Sequence, residues 1–90
     1  MRKLIWGNIF VRAFKKTVKK HPELKEEIIA FLKLLEIDCF APQLMTHKLK
    51  GKLSGLWACK AGYDLRIIFK LVENDTAIFL LEIGSHDEVY

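Results

Sequence analysis

Two stripes of apolar residues with helical spacing occupy the first half of the chain. Phe10, Phe14 and Val18 recur at intervals of four residues, which is the repeat of one helix face. The second stripe has the same type of spacing, and its members are Leu24, Ile28, Phe31, Leu32 and Leu35. Pro22 separates the stripes, because proline disfavours helical geometry in the residue before it. The pattern therefore predicts a hairpin of two helices, the second ending near Ile37.

Apolar runs typical of β-strands flank the predicted helices. Leu4-Ile5-Trp6 precedes the first helix, and three longer runs occupy residues 56–61, 64–72 and 76–83. The gaps between these runs, Gly62-Tyr63 and residues 73–75, are short enough for hairpins, so neighbouring strands should be antiparallel. The third run places four apolar residues on one face by alternation: Ala77, Phe79, Leu81 and Ile83.

This order of elements predicts an α+β fold. An N-terminal strand and a helical hairpin come first, and a three-stranded antiparallel meander completes a small sheet. A short C-terminal tail or turn follows. We expect residues 1–90 to form a single domain, since a chain of this length supports one core and 51% of its residues are hydrophobic.

Composition excludes several classes of protein. No apolar run approaches the roughly 18 residues that a membrane-spanning helix needs. The N-terminus lacks the features of a signal peptide, so we expect a cytoplasmic protein. Cys39 and Cys59 do not have the spacing of a metal site, and a reducing cytosol would keep both as thiols.

The charge is unevenly distributed along the chain. Residues 1–52 contain twelve Lys/Arg and five Asp/Glu, a balance of +7, whereas residues 53–90 contain three and six, a balance of −3. Such an asymmetry is typical of proteins that bind a polyanion, most often a nucleic acid. A soluble protein with a solvated lysine face has the same pattern.

Polar residues with catalytic potential lie at the ends of the predicted strands. His86 and Tyr90 follow the last strand after a glycine, and His47 lies in the basic segment before the sheet. Asp64 and Arg66 are two residues apart on the central run, which places them on one strand face. Together these groups could cleave a phosphodiester without a metal, because histidines can transfer protons and cations can stabilise the transition state.

Other catalytic chemistries fit the sequence less well. His47 and His86 have no short-spaced partner for a metal site, and no cofactor is expected. Cys59 lies inside a strand-like run, whereas nucleophilic catalysis needs an exposed, activated thiol. Gly51-Lys52 lacks the strand and spacing of a phosphate-binding loop.

Four motifs, in this order and at these distances, resemble the RelE/ParE superfamily of bacterial toxins. They are Phe14-Lys15-Lys16, His47-Lys48-Leu49-Lys50-Gly51, Asp64-Leu65-Arg66-Ile67-Ile68-Phe69 and Ile83-Gly84-Ser85-His86-Asp87-Glu88-Val89-Tyr90. Within the superfamily, the chain is similar to the YafQ-like mRNA interferases. The resemblance implies a type II toxin that cleaves mRNA, usually on the ribosome, and that a cognate antitoxin neutralises. It also implies a toxin–antitoxin complex on operator DNA.

The resemblance also implies roles for single residues. His47, Asp64 and His86 match catalytic positions of YafQ-like enzymes, and Tyr90 matches a terminal aromatic residue that contacts the substrate. Arg66 matches a phosphate-stabilising arginine of RelE-like relatives. The remaining expected contacts to phosphate or RNA come from four lysines: Lys48, Lys50, Lys52 and Lys60.

One departure and two alternative functions follow from the comparison with the superfamily. Lys60 stands where some YafQ-like enzymes have a histidine, so the general base is either His47 or His86. ParE-type members of the superfamily inhibit DNA gyrase without cleaving RNA. A toxin that only binds its antitoxin as a co-repressor is the other alternative.

Overall fold

The two amphipathic segments are helical in the computed structural model, which describes residues 1–62 and 64–90. Helix α1 spans Asn8–Lys20 and helix α2 spans Lys25–Ile37, with a short 3-10 turn, Pro22–Leu24, between them. Proline has no backbone N–H that would lack a partner at the start of that turn, so it suits the beginning of a helical segment. The predicted helical hairpin and the end of its second helix are confirmed.

The helices cover one face of a five-stranded mixed sheet with the order β1-β5-β4-β3-β2. The strands are β1 (Lys3–Trp6), β2 (His47–Lys48), β3 (Trp57–Lys60), β4 (Leu65–Val72) and β5 (Ala77–Ser85). Strand β1 is parallel to β5, and the other neighbours are antiparallel. The α+β class is confirmed. The predicted three-stranded antiparallel meander corresponds to β3, β4 and β5, but it does not match the observed sheet, which is mixed and includes β2. Tyr63, predicted in the turn before β4, lies outside the described residues.

A β-bulge changes which side of β5 faces the helices. The pairing of β4 with β5 shifts between Ile68 and Phe69, so Ile67 lies opposite Ile83 but Phe69 lies opposite Leu80. An extra residue in one strand reverses the alternation beyond it. The prediction that Ala77, Phe79, Leu81 and Ile83 share one face is therefore wrong, because Ile83 shares the helix-facing side with Leu80 and Ile78.

The main core lies between the helices and the sheet. Its largest fully buried side chains are Phe10, Phe69, Ile28, Leu35, Leu44, Ile67, Ile78 and Leu80. Cys59 is also buried in this core, in agreement with its position inside a strand-like run. A smaller apolar cluster of Ala58, Ile68 and Val89 lies on the opposite face of the sheet. No helix among residues 1–62 and 64–90 is both long and apolar enough to cross a membrane.

The chain ends in a one-turn helix, α3 (His86–Val89), where the sequence predicted a short tail or turn. Ser85 and Glu88 form a capping box at its start. The Glu88 backbone N–H donates to Ser85 Oγ at 3.3 Å, and the Ser85 backbone N–H donates to Glu88 Oε1 at 2.8 Å. These two bonds satisfy donors that a helix terminus otherwise leaves unpaired. Val89 then anchors α3 to the sheet through the smaller apolar cluster.

Candidate active site

Helix α3 brings the end of the chain to the outer face of the sheet, beside Arg66. Gly84 is the register partner of Arg66, and Val89 packs against Ala58 and Ile68. The ring of Tyr90 lies edge to face with the ring of His86, with 4.5 Å between centroids. The positive charge of Arg66 acts on the Tyr90 hydroxyl. The end of the chain is therefore held against the sheet face that carries Arg66.

Three predicted site residues line one small cavity near that face. The cavity has a volume of about 110 Å³ and is lined by Met45, His47, Cys59, Lys60 and Arg66. Lys60 is the register partner of Arg66, and His47 is the partner of Ala58, two residues earlier on β3. Because paired residues in a sheet project to the same side, these three polar side chains share the outer face. The short strand β2 is what places His47 there.

The imidazole of His47 is held by the backbone just before its strand. Its Nδ1 lies 3.1 Å from the carbonyl oxygen of Met45. Since a carbonyl can only accept a hydrogen bond, Nδ1 carries the proton, and Nε2 of the neutral ring is left as the acceptor. Met45 has a left-handed backbone conformation, with φ of 50°. His47 therefore has the tautomer that a general base requires.

Arg66 and Tyr90 supply a cation and a neutral hydroxyl. Arg66 is half-buried, and its Nη1 donates to the neighbouring carbonyl oxygen of Leu65 at 3.0 Å. A guanidinium has five N–H donors, so others remain for a phosphate. Burial raises the pKa of the Tyr90 phenol, and the charge of Arg66 only partly opposes this. Tyr90 is therefore an un-ionised hydrogen-bond donor at neutral pH.

His86 is exposed at the start of α3. Its Nδ1 is 3.5 Å from Oδ1 of Asp87, with both side chains in contact with solvent. An exposed pair at this distance contributes little to stability. The carboxylate nevertheless favours the proton on Nδ1, which leaves Nε2 of His86 available to a substrate.

Asp64 does not line the cavity that contains His47, Lys60 and Arg66. It is exposed and precedes β4, so the strand alternation that paired it with Arg66 does not reach it. It lines a larger cavity of about 320 Å³, together with Lys16, Lys20 and His21 on the side of α1 and with Ser85 and Glu88 at the start of α3. The structure thus brings His47, Lys60 and Arg66 together and places Asp64 in a separate cavity. Lys16 of this cavity belongs to the Phe14-Lys15-Lys16 motif, but the sequence did not single out Lys20 or His21 as site residues, nor Met45 of the smaller cavity.

The predicted RNA-binding lysines lie along the connection between β2 and β3. Lys48 is on β2, and Lys50 and Lys52 are beside and within the 3-10 turn Gly51–Leu53. Within residues 1–62 and 64–90, no lysine or arginine forms an ion pair with a carboxylate; the two ion pairs both involve histidine. The positive charge of this surface is therefore not neutralised by the protein itself.

The cavity residue Cys59 has no role as a nucleophile. Burial raises the pKa of its thiol to about 12, so the thiolate that would attack a substrate does not form at neutral pH. In the part of the chain that the structure describes, no group of three or more His, Cys, Asp or Glu side chains is arranged to hold a metal ion. The polar groups of the site are thus histidines, cations and a phenol.

The capping box predicts a pH dependence of α3. Hydrogen bonds from Ser85 hold the pKa of Glu88 below its ordinary value, so the ionised form stabilises α3. A lowered pKa contributes stability above the unfolded-state pKa, and this is lost as the pH falls through the folded-state pKa. We expect the NMR signals of Val89 and Tyr90 to shift toward undocked positions as the pH falls through the lowered pKa of Glu88. Glu88→Gln should remove this dependence, and an unchanged acid transition in that variant would contradict the assignment.

Comparison with known proteins agrees with this architecture. A family model described as "Bacterial toxin of type II toxin-antitoxin system, YafQ" matches residues 2–90. The structure of a copper-bound mutant toxin from Helicobacter pylori is 30% identical, with 100% of both chains covered and a TM-score of 0.74. The E. coli DinJ–YafQ toxin–antitoxin complex is 18% identical, covering 99% of this chain and 97% of that chain, with a TM-score of 0.78.

A third similar structure has the same fold. The YoeB/ParE toxin from Agrobacterium tumefaciens is 17% identical, covers 93% of this chain and 98% of that chain, and has a TM-score of 0.78. Among curated protein sequences, none is significantly similar to the chain.

Proposed function

This chain belongs to the YafQ family of toxins of bacterial type II toxin–antitoxin systems, and we propose that it is a metal-independent endoribonuclease that cleaves mRNA on the ribosome. The convergence of His47, Lys60 and Arg66 on one cavity carries the proposal. Helix α3 adds His86 and Tyr90 to the same face of the sheet. Proton-transfer groups and cations on one face are what phosphodiester cleavage by a neighbouring hydroxyl requires.

The proposed reaction is an attack by the RNA 2′-hydroxyl on the adjacent phosphorus. Nε2 of His47 accepts the hydroxyl proton as the new P–O2′ bond forms. The P–O5′ bond breaks, and the leaving 5′-oxygen takes the Nε2 proton of the His86 imidazolium, which becomes a neutral imidazole. The products are a 2′,3′-cyclic phosphate and a 5′-hydroxyl. Asp64 lines the other cavity together with Ser85 and Glu88, on either side of His86 in the chain, and in this scheme its carboxylate orients His86.

The cations stabilise the charge that accumulates on the phosphate oxygens. Arg66 offers planar N–H donors, and Lys60 beside it offers a point charge. Fixed donors aimed at developing charge lower the barrier most effectively where water is excluded. Tyr90, which is un-ionised, donates to a phosphate oxygen or contacts a base. The lysines of the β2–β3 connection bind the RNA backbone without reading sequence.

Removing both histidines tests the proposal. We expect His47→Ala with His86→Ala to lower mRNA cleavage in a translating extract by at least about a hundredfold, since each proton transfer contributes about 10²–10⁴. His21→Ala is the matched control, because it removes an exposed histidine that takes no step in the scheme. Full cleavage by the double variant would exclude the acid–base assignment. Cleaved DNA–gyrase complexes with intact mRNA would instead identify a gyrase inhibitor.

We also propose a cognate antitoxin as the protein partner. The E. coli structure contains YafQ together with DinJ in a toxin–antitoxin complex. In this chain, basic side chains without carboxylate partners among the described residues offer a surface to an acidic segment. Such a segment competes with RNA for the same charges, so its binding blocks cleavage.

A further inference from the structure

Two cations and two aromatic rings form a continuous row at the edge of the core. The row consists of Arg2, Phe40, Trp57 and Lys48. The guanidinium carbon of Arg2 lies 5.9 Å from the Phe40 ring centroid. The Phe40 and Trp57 rings meet edge to face at 5.1 Å, and Lys48 Nζ lies 5.4 Å from the Trp57 ring centroid. A rigid aromatic pair thus has a cation at each end.

Packing alone does not account for Phe40. The side chain is 48% exposed, whereas Trp57 beside it is partly buried against the main core. The backbone fixes Phe40 in this position, because its N–H donates to Oδ1 of Asp38 at 3.0 Å. Arg2 is fixed as well, since its Nε donates to the carbonyl oxygen of Asp75 at 2.8 Å. A large apolar ring is therefore held in contact with water, between the fixed Arg2 guanidinium and the Trp57 ring.

The row begins one residue away from the candidate active site. Lys48 follows His47 on β2, and successive residues of a strand project to opposite faces of the sheet. Lys48 pairs with Trp57, and His47 pairs with Ala58. Strand β2 is the last strand of the sheet on that side. An extended polymer in the His47 cavity can therefore pass over this edge and reach the row.

We propose that the row binds a single-stranded RNA segment that continues from the cleavage site. This inference rests on the nuclease function proposed above. A base stacks on the exposed Phe40 ring, and Arg2 and Lys48 pair with the flanking phosphates. Single-stranded nucleic acids are bound by aromatic platforms in a positively charged groove, because every base has a stacking face and every linkage a charge. The row has aromatic rings between two cations, which matches the alternation of bases and phosphates along a single strand.

Binding of an RNA that cannot be cleaved tests the row separately from catalysis. The probe is a single-stranded oligonucleotide of about ten residues, with every 2′-hydroxyl methylated. The chain has two tryptophans, so in a Trp6→Phe background Trp57 is the only one and its fluorescence reports stacking. We expect saturable quenching of Trp57, and about a tenfold loss of affinity for Phe40→Leu, which keeps an apolar side chain but removes the ring.

Matched variants distinguish the loss of base stacking from a loss of folding stability. Phe40→Tyr keeps the ring and should retain the affinity, whereas Ile37→Ala removes another exposed apolar side chain and should leave the affinity unchanged. Equal affinity of the wild type and Phe40→Leu would overturn the proposal, as would unquenched Trp57. Weaker antitoxin binding by Phe40→Leu with normal RNA binding would also overturn it. Because the methylated probe cannot be cleaved, its binding is measured independently of whether the chain cleaves RNA.

Discussion

Replacement of Arg66 by alanine is expected to lower the rate of mRNA cleavage by about a hundredfold to a thousandfold. Removing one fixed donor that stabilises transition-state charge has effects of this size. Arg66 is the cation with the most constrained position, because it is half-buried and bonded to the carbonyl oxygen of Leu65. The rate should be measured in a translating extract, with saturating ribosomes.

Two further variants give this prediction its controls. Lys70→Ala removes an exposed cation from the same strand, four residues from Arg66 and outside the cavity lining, so cleavage should be unchanged. Arg66→Lys keeps the charge but loses the planar fork, and its rate should lie between those of the wild type and Arg66→Ala. If Arg66→Ala cleaved mRNA as fast as Lys70→Ala, Arg66 would have no part in the reaction.

The helices could be predicted from sequence because their signals are redundant. Each apolar stripe repeats over several turns, and Pro22 separates the two. Strand β2 carries no comparable signal, since two residues with polar or charged side chains make no pattern. The helix-facing side of β5 could not be predicted, because the residues on both sides of this strand are apolar. Ile78 and Leu80 are as apolar as Phe79 and Leu81, so the alternation of side chains does not reveal the bulge.

The composition of the candidate site was more predictable than its geometry. Histidines, cations and a terminal tyrosine could be chosen by their chemistry. Their grouping depends on features that the sequence reasoning did not capture: a two-residue strand that orients His47 and a bend that removes Asp64 from the strand alternation. The capping box is an exception. Ser85 and Glu88 have the spacing of a helix start, and this signal could have predicted α3.

Replacement of Gly84 by valine is expected to undock α3 and to lower cleavage about a hundredfold, comparable to the loss of one proton-transfer group. A Cβ atom on Gly84 would lie 3.2 Å from the Glu88 side chain and 3.2 Å from Cγ1 of Val89. Valine itself suits a strand, so β5 should persist and the helix should move. His86 and Tyr90 would then leave the face that carries Arg66.

The pKa of Tyr90 provides a readout of this displacement that does not depend on activity. Burial raises that pKa in the folded protein, so undocking should return it toward its ordinary value. The ring signals of Tyr90, followed by NMR against pH, would then titrate at lower pH in Gly84→Val than in the wild type. Lys70→Val places the same side chain at an exposed site on the neighbouring strand and should change neither cleavage nor the Tyr90 titration. Wild-type cleavage by Gly84→Val would mean that docking of α3 is not required for the reaction.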